Sequence, residues 1–158
     1  MLPPLVTRAQ LETELPAITA WADRYGWRAE VEPASRLVEA HTEHPAIGVQ
    51  LAVNADCAGY PSVAPAWRFT DHAGDSPKSA FPAPGARPGI NGSIFHSNGL
   101  ICAPWNRLAY KEHGGVHDDW GALTLWKTAA PGYTHALTIA DMLHAIRFHL
   151  LVSPGMMT

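Results

Sequence analysis

The chain has 158 residues, 47% of them hydrophobic and 16% charged, with a formal net charge of -3. That length and apolar content suit one domain with a full core, spanning residues 1–158, rather than a disordered adaptor. Acids and bases are mixed along the chain, which leaves no electrostatic footprint for nucleic acid or an anionic membrane.

Residues 1–8 lack the basic start and apolar run of a secretory signal, and no apolar stretch approaches the roughly 18 residues of a spanning helix, so a cytoplasmic location is expected. Thr7, with Gln10 three residues on, reads as a capping box. Leu11, Leu15, Ile18, Trp21 and Tyr25 then recur at helical spacing up to Gly26. Pro16 falls inside this helix and is expected to kink or split it, because proline has no amide donor and crowds the preceding turn. From Trp27 the pattern changes to short runs bounded by turn residues, at 27–32, 37–41, 47–53 and 66–70, which read as successive antiparallel strands. Residues 71–92 carry Pro77, Pro82, Pro84 and Pro88 and are expected to form a long surface loop. Residues 103–131 are rich in Trp, His, Gly and Asp, and only 122–127 has strand character. Thr138, three residues before Asp141, is an N-cap for a final helix carrying Ile139, Leu143, Ile146 and Leu150 before Pro154.

The only cysteines, Cys57 and Cys102, are too far apart for a CxxC motif and too few for a disulfide framework, so both are expected as free thiols. Cys57 reads as a turn thiol with no role. Trp21, Trp27 and Trp67 read as core; Trp105, Trp120 and Trp126 read as anchors pinning the long loop to the body.

A helix, a four-stranded antiparallel meander, an irregular stretch with a lone cysteine and a closing helix form the element order of an α+β domain. The local wording sharpens it. Tyr60-Pro61, Pro65-Ala66-Trp67-Arg68-Phe69, Ser97-Asn98-Gly99-Leu100-Ile101-Cys102 and the helix opening Leu137-Thr138-Ile139 occur in that order. Over residues 60–155 the chain thereby resembles the E2 ubiquitin-conjugating enzymes, and the resemblance implies the UBC-like fold with a long irregular active-site region. It implies further that Cys102 accepts a ubiquitin-like protein from an E1-like activating enzyme as a thioester and passes it to an amine on a protein acceptor. No cofactor is expected at this step, because the E1 consumes the ATP. A carrier cysteine must be exposed at a rim that two proteins can reach, and Asn98-Gly99 suit a turn that presents it there. A free thiol titrates near ~8.5, so no strongly basic neighbour is expected to be required.

The family's histidine-proline-asparagine triplet is missing: counting back from Cys102 puts Gly92-Ser93-Ile94 at those positions. Asn91, His96 and Asn98 lie near enough to donate to a developing oxyanion, His96 foremost. The family's tryptophan and proline before the last helix fall on Tyr133 and His135. These departures, with high alanine, proline and arginine use, suggest a divergent bacterial branch of the kind encoded beside a ubiquitin-like protein and an E1-like enzyme, antiphage defence being one such setting.

Trp105, Asn106, His113, Gly114, Gly115, His117, Asp118, Asp119 and Trp120 form the densest group of functional side-chain types. In the conjugating reading, Asp118 or Asp119 orients an incoming lysine and favours its deprotonation. In a rival metal-dependent reading, His113, His117 and a carboxylate bind zinc with His135 or Cys102, although Gly114-Gly115 disfavours the helix that would align the two histidines. No metal is expected in the preferred reading. Two further rivals are a non-catalytic binding module for a ubiquitin-like protein and a cysteine hydrolase using Cys102 with His96, His113 or His117. Taken alone, Cys102 between Leu100, Ile101 and Ala103 also reads as a small buried core residue.

Overall fold

The computed structural model describes residues 2–86, 88, 92–133 and 135–158. Helix α1 runs Pro4–Tyr25. It begins three residues before the expected cap, because Pro4 at the first helical position gives up an amide that would have no partner there. Thr7 therefore lies inside the helix, buried, and its hydroxyl donates to the Tyr60 carbonyl at 2.6 Å. The helix continues through Pro16 instead of splitting, and stops at Gly26, whose φ of 72° is left-handed. Its buried stripe is Thr7, Leu11, Glu14, Ile18 and Trp21. Leu15, expected on that stripe, is exposed, and Glu14 takes the inward position.

Four strands follow as an antiparallel meander in the order β1-β2-β3-β4: Arg28–Glu32, Leu37–Glu43, Gln50–Asp56 and Ala66–Thr70. Pairings such as Ala40 with Val53 and Val53 with Phe69 put one set of alternate side chains inward. Val38, Ala40, Leu51, Val53, Ala55, Trp67 and Phe69 are buried on that face. The third strand starts later than expected. Gly48, with φ 73°, donates to the His44 carbonyl at 2.8 Å, so Ile47 and Val49 lie in the turn and are exposed.

Residues 71–86 are less loose than a surface loop. They include a 3-10 turn at Lys78–Ala80, with Ala80 and Phe81 buried. The C-terminal segment staples this stretch down: Ala83 N–H donates to Gly155 O at 2.8 Å and Met157 N–H to Phe81 O at 3.0 Å.

A short hairpin, β5 Phe95–His96 and β6 Leu100–Ile101, leads into the irregular region. There 122–127 is no strand: Leu123–Leu125 is a 3-10 turn with Leu125 exposed. The buried Trp126 indole donates to the Pro61 carbonyl at 3.0 Å and anchors this segment.

Helix α2, Ile139–Leu150, starts where expected, with the Thr138 hydroxyl accepting from Asp141 N–H at 3.2 Å. Glu14 supplies a second cap, its Oε1 accepting from Ile139 N–H at 2.8 Å. Ile139, Met142, Leu143, Ile146 and Leu150 complete one core shared with α1, the sheet and the hairpin. Among the described residues no helix is long and apolar enough to cross a membrane.

Candidate functional site

The site is built on the β5–β6 hairpin. His96 pairs with Leu100, and Gly99 N–H donates back to His96 O at 2.9 Å, which leaves a three-residue loop with Gly99 at φ 80°. The loop thus closes on a left-handed residue, a geometry that favours glycine. A Cβ on Gly99 would also press on Lys78 Cα at 3.1 Å. Phe95 and Ile101 point into the core. Cys102 extends the ladder by one rung, its N–H donating to Ile94 O at 2.6 Å, and its side chain is half-buried at the outer edge of the core.

Asn106, grouped with the functional candidates by its neighbours, is a fully buried brace. Its Nδ2 donates to Ile101 O at 2.7 Å and to Trp67 O at 3.2 Å, while its Oδ1 accepts from Trp67 N–H at 2.8 Å. It thereby locks the residue before Cys102 to β4. Arg107 ties the same segment to the turn after β3 through the carbonyls of Ala58 at 2.6 Å and Ala64 at 2.9 Å.

Gly114 and Gly115 then fold the chain back. Gly114 has φ 88°, and a Cβ on Gly115 would overlap the Ala109 carbonyl. With that close approach open, His117 N–H reaches Ala109 O at 3.1 Å and Lys111 N–H reaches His117 O at 2.8 Å. The His117 ring arrives beside the cysteine, with Nε2 at 2.9 Å from Cys102 Sγ. On its far side Nδ1 lies 3.5 Å from Asp119 Oδ1, longer than a good hydrogen bond. The tautomer protonated at Nδ1 faces the carboxylate and presents the Nε2 lone pair to the thiol. The ring is stacked on Trp120, with centroids 3.7 Å apart and planes at 9°, and Trp120 is wedged edge-on by Tyr110 and Tyr133, each at 5.3 Å.

Burial pushes the Cys102 thiol up to about 11. A thiol raised in this way ionises less readily at neutral pH than the free thiol of the sequence expectation. His117 stands where it could take that proton. Cys57 is fully buried, and burial raises its thiol to about 12.

The other expected site residues are distributed differently. His96 and Asn98 pair with each other at 2.7 Å across the hairpin tip, and no hydrogen bond joins either to Cys102 or His117. His96 lies on the same hairpin face as Cys102, two positions along. Asp118 turns away to Lys111 at 3.5 Å, whereas Asp119 reaches the cysteine through His117. Asn91 lies outside the described residues. His113 and His135 are exposed, and among the described residues no group of three or more His, Cys, Asp or Glu side chains is placed to hold a metal ion. The sequence reading named His117 as a zinc ligand or hydrolase base and missed its pairing with Asp119; the Gly114-Gly115 fold-back just before it was the available signal.

Comparison with protein-family models, with curated proteins and with solved structures finds no match to the chain in any of the three.

Proposed function

We propose that the chain is an E2-like conjugating domain that accepts an activated ubiquitin-like protein from an E1-like enzyme as a thioester on Cys102 and transfers it to an amine on a protein acceptor. The observation that carries this reading is the 2.9 Å contact between the half-buried Cys102 thiol and His117 Nε2 at the end of a hairpin that follows a helix and a four-stranded meander. Proton transfer to His117 makes the sulfur a nucleophile, and thioester exchange then needs only a sulfur that two proteins can reach. Once Cys102 is acylated, the same imidazole faces the incoming amine and can take its proton.

A second reading, a cysteine hydrolase, draws on Asp119 completing a nucleophile, base and orienter series. The donors such an enzyme aims at the oxyanion weigh against it: the Cys102 N–H is committed to Ile94 and the Asn106 Nδ2 to Ile101 and Trp67. Loss of one such donor costs about 100-fold or more in rate. An amide depends on that help more than a thioester does, because amide resonance makes its carbonyl the poorer electrophile.

The test is a charging assay with an E1-like enzyme, its ubiquitin-like protein and ATP, resolved with and without reductant. A reductant-sensitive adduct lost in Cys102→Ala and kept in Cys57→Ala is expected. An adduct that persists in Cys102→Ala, or none at all with an active E1, would refute the assignment.

A further inference from the structure

The base that activates Cys102 remains in place after the cysteine is acylated, and that has a chemical cost. Carrier thioesters persist when nothing near the sulfur can deprotonate water. Here His117 Nε2 stands 2.9 Å from the sulfur, its Nδ1 faces Asp119, and its plane is fixed against Trp120. A depression of about 280 Å³ on this loop is lined by His117, Tyr110, Glu112, Asp118 and others.

We infer that the protein is also a thioesterase toward its own acyl intermediate: His117, held by Asp119 and Trp120, activates water to release the acyl group from Cys102, while amides are left intact. The inference rests on Cys102 being the acyl carrier. In the step, the water oxygen bonds to the acyl carbon as its proton passes to His117 Nε2. The tetrahedral carbon then expels the Cys102 sulfur, which recovers a proton from the imidazolium, leaving a carboxylic acid and a free thiol. No oxidant or co-reactant is needed. The restriction to thioesters rests on donors committed elsewhere, the Cys102 N–H on Ile94 and the Asn106 Nδ2 on Ile101 and Trp67. Such drainage would limit how long an acyl group waits for its acceptor.

The experiment uses N-acetylglycine benzyl thioester on the full chain at pH 7.5, with acylation followed by intact mass and Cys102→Ala as the site control. After excess probe is removed, the acyl adduct is expected to decay about 100-fold faster in the wild type than in His117→Gln. Asp119→Asn, a change at an exposed position, is expected to fall between them. N-acetylglycine anilide is expected to remain uncleaved. Equal decay in the wild type and His117→Gln would overturn the inference while leaving Cys102 as the carrier. Failure of the probe to acylate Cys102 would overturn the inference, with the E1 charging assay deciding the carrier role separately, and turnover of the anilide would replace the thioester-only activity with a general cysteine hydrolase.

Discussion

Cys102 Sγ and His117 Nε2 lie 2.9 Å apart although 15 residues separate them in the chain. Burial pushes the thiol up to about 11, and the proposed activation by the imidazole would have to act against that. The backbone devices around the pair, Asn106 on one side and Gly114-Gly115 on the other, serve this contact.

The pH profile of Cys102 alkylation by iodoacetamide should therefore inflect far below 11 in the wild type and move up toward 11 in His117→Gln. Pairing with an imidazolium brings cysteines to ~7.5 or lower, and the gain in thiolate is partly offset by its weaker nucleophilicity. The net loss in His117→Gln at pH 7 is about 50-fold. An unchanged profile would show that the contact has no bearing on ionisation.

Trp120 is expected to act through His117. An indole face stacked on a cationic ring contributes about 1 kcal/mol, which would favour formation of the thiolate pair and move the Cys102 alkylation inflection by about 0.7 pH unit. Trp120→Leu should raise the alkylation inflection by that amount, and Trp120→Phe should restore most of it. A purely structural role would lower the melting temperature of both variants without moving the inflection.

Glu14 ties three elements together: it accepts from the Tyr60 hydroxyl at 2.6 Å, from Gln10 at 2.7 Å and from the first amide of α2 at 2.8 Å. Glu14→Gln keeps the shape but replaces a carboxylate oxygen with a donor that faces other donors. Charge-assisted hydrogen bonds contribute about 1.5–3 kcal/mol each, and roughly 3 kcal/mol should be lost in urea unfolding. A loss below about 0.5 kcal/mol, the size of an ordinary surface substitution, would contradict this role.

Stability should also fall in mild acid. Burial lowers both His44 and His149 below the ordinary 6.5. The unfolded chain then binds more protons than the folded one below pH 6.5, so the contribution is complete above that pH and is lost as the pH drops through it, by at most about 1.4 kcal/mol per pH unit for each group. His44 Nδ1 accepts from Ala46 N–H at 3.1 Å, and a proton there would break that bond. Among the described residues His149 Nδ1 has no hydrogen-bond partner and is buried, so His149→Leu should flatten the decline in melting temperature between pH 7 and 5. A decline as steep in this variant as in the wild type would exclude His149 as a contributor.

Much of the fold was legible. The last helix announced itself through Thr138 and the spacing from Ile139 to Leu150, and β4 occupies 66–70 as read. The meander and the hairpin turn at Asn98-Gly99 followed from alternation and turn chemistry, which act within a few residues. Misreadings arose where a distant partner overrode the local pattern. Glu14 replaced Leu15 on the buried stripe because Tyr60 and Ile139 satisfy its carboxylate. Residues 122–127 have strand character but turn at Leu123–Leu125, where Trp126 is held by the Pro61 carbonyl.

The sequence by itself determined the order of elements, the free thiol at Cys102 and the group of polar and aromatic side chains after it, because periodicity, caps and turns are written in adjacent residues. Only the tertiary structure decided that His117, rather than His96 or Asn98, stands at the sulfur and that Asp119, rather than Asp118, backs it. No repeating pattern spans an irregular loop, so its closure is settled by what its residues pack against: Asn106 buried between β4 and β6, Gly115 against Ala109, and the His117 ring on Trp120.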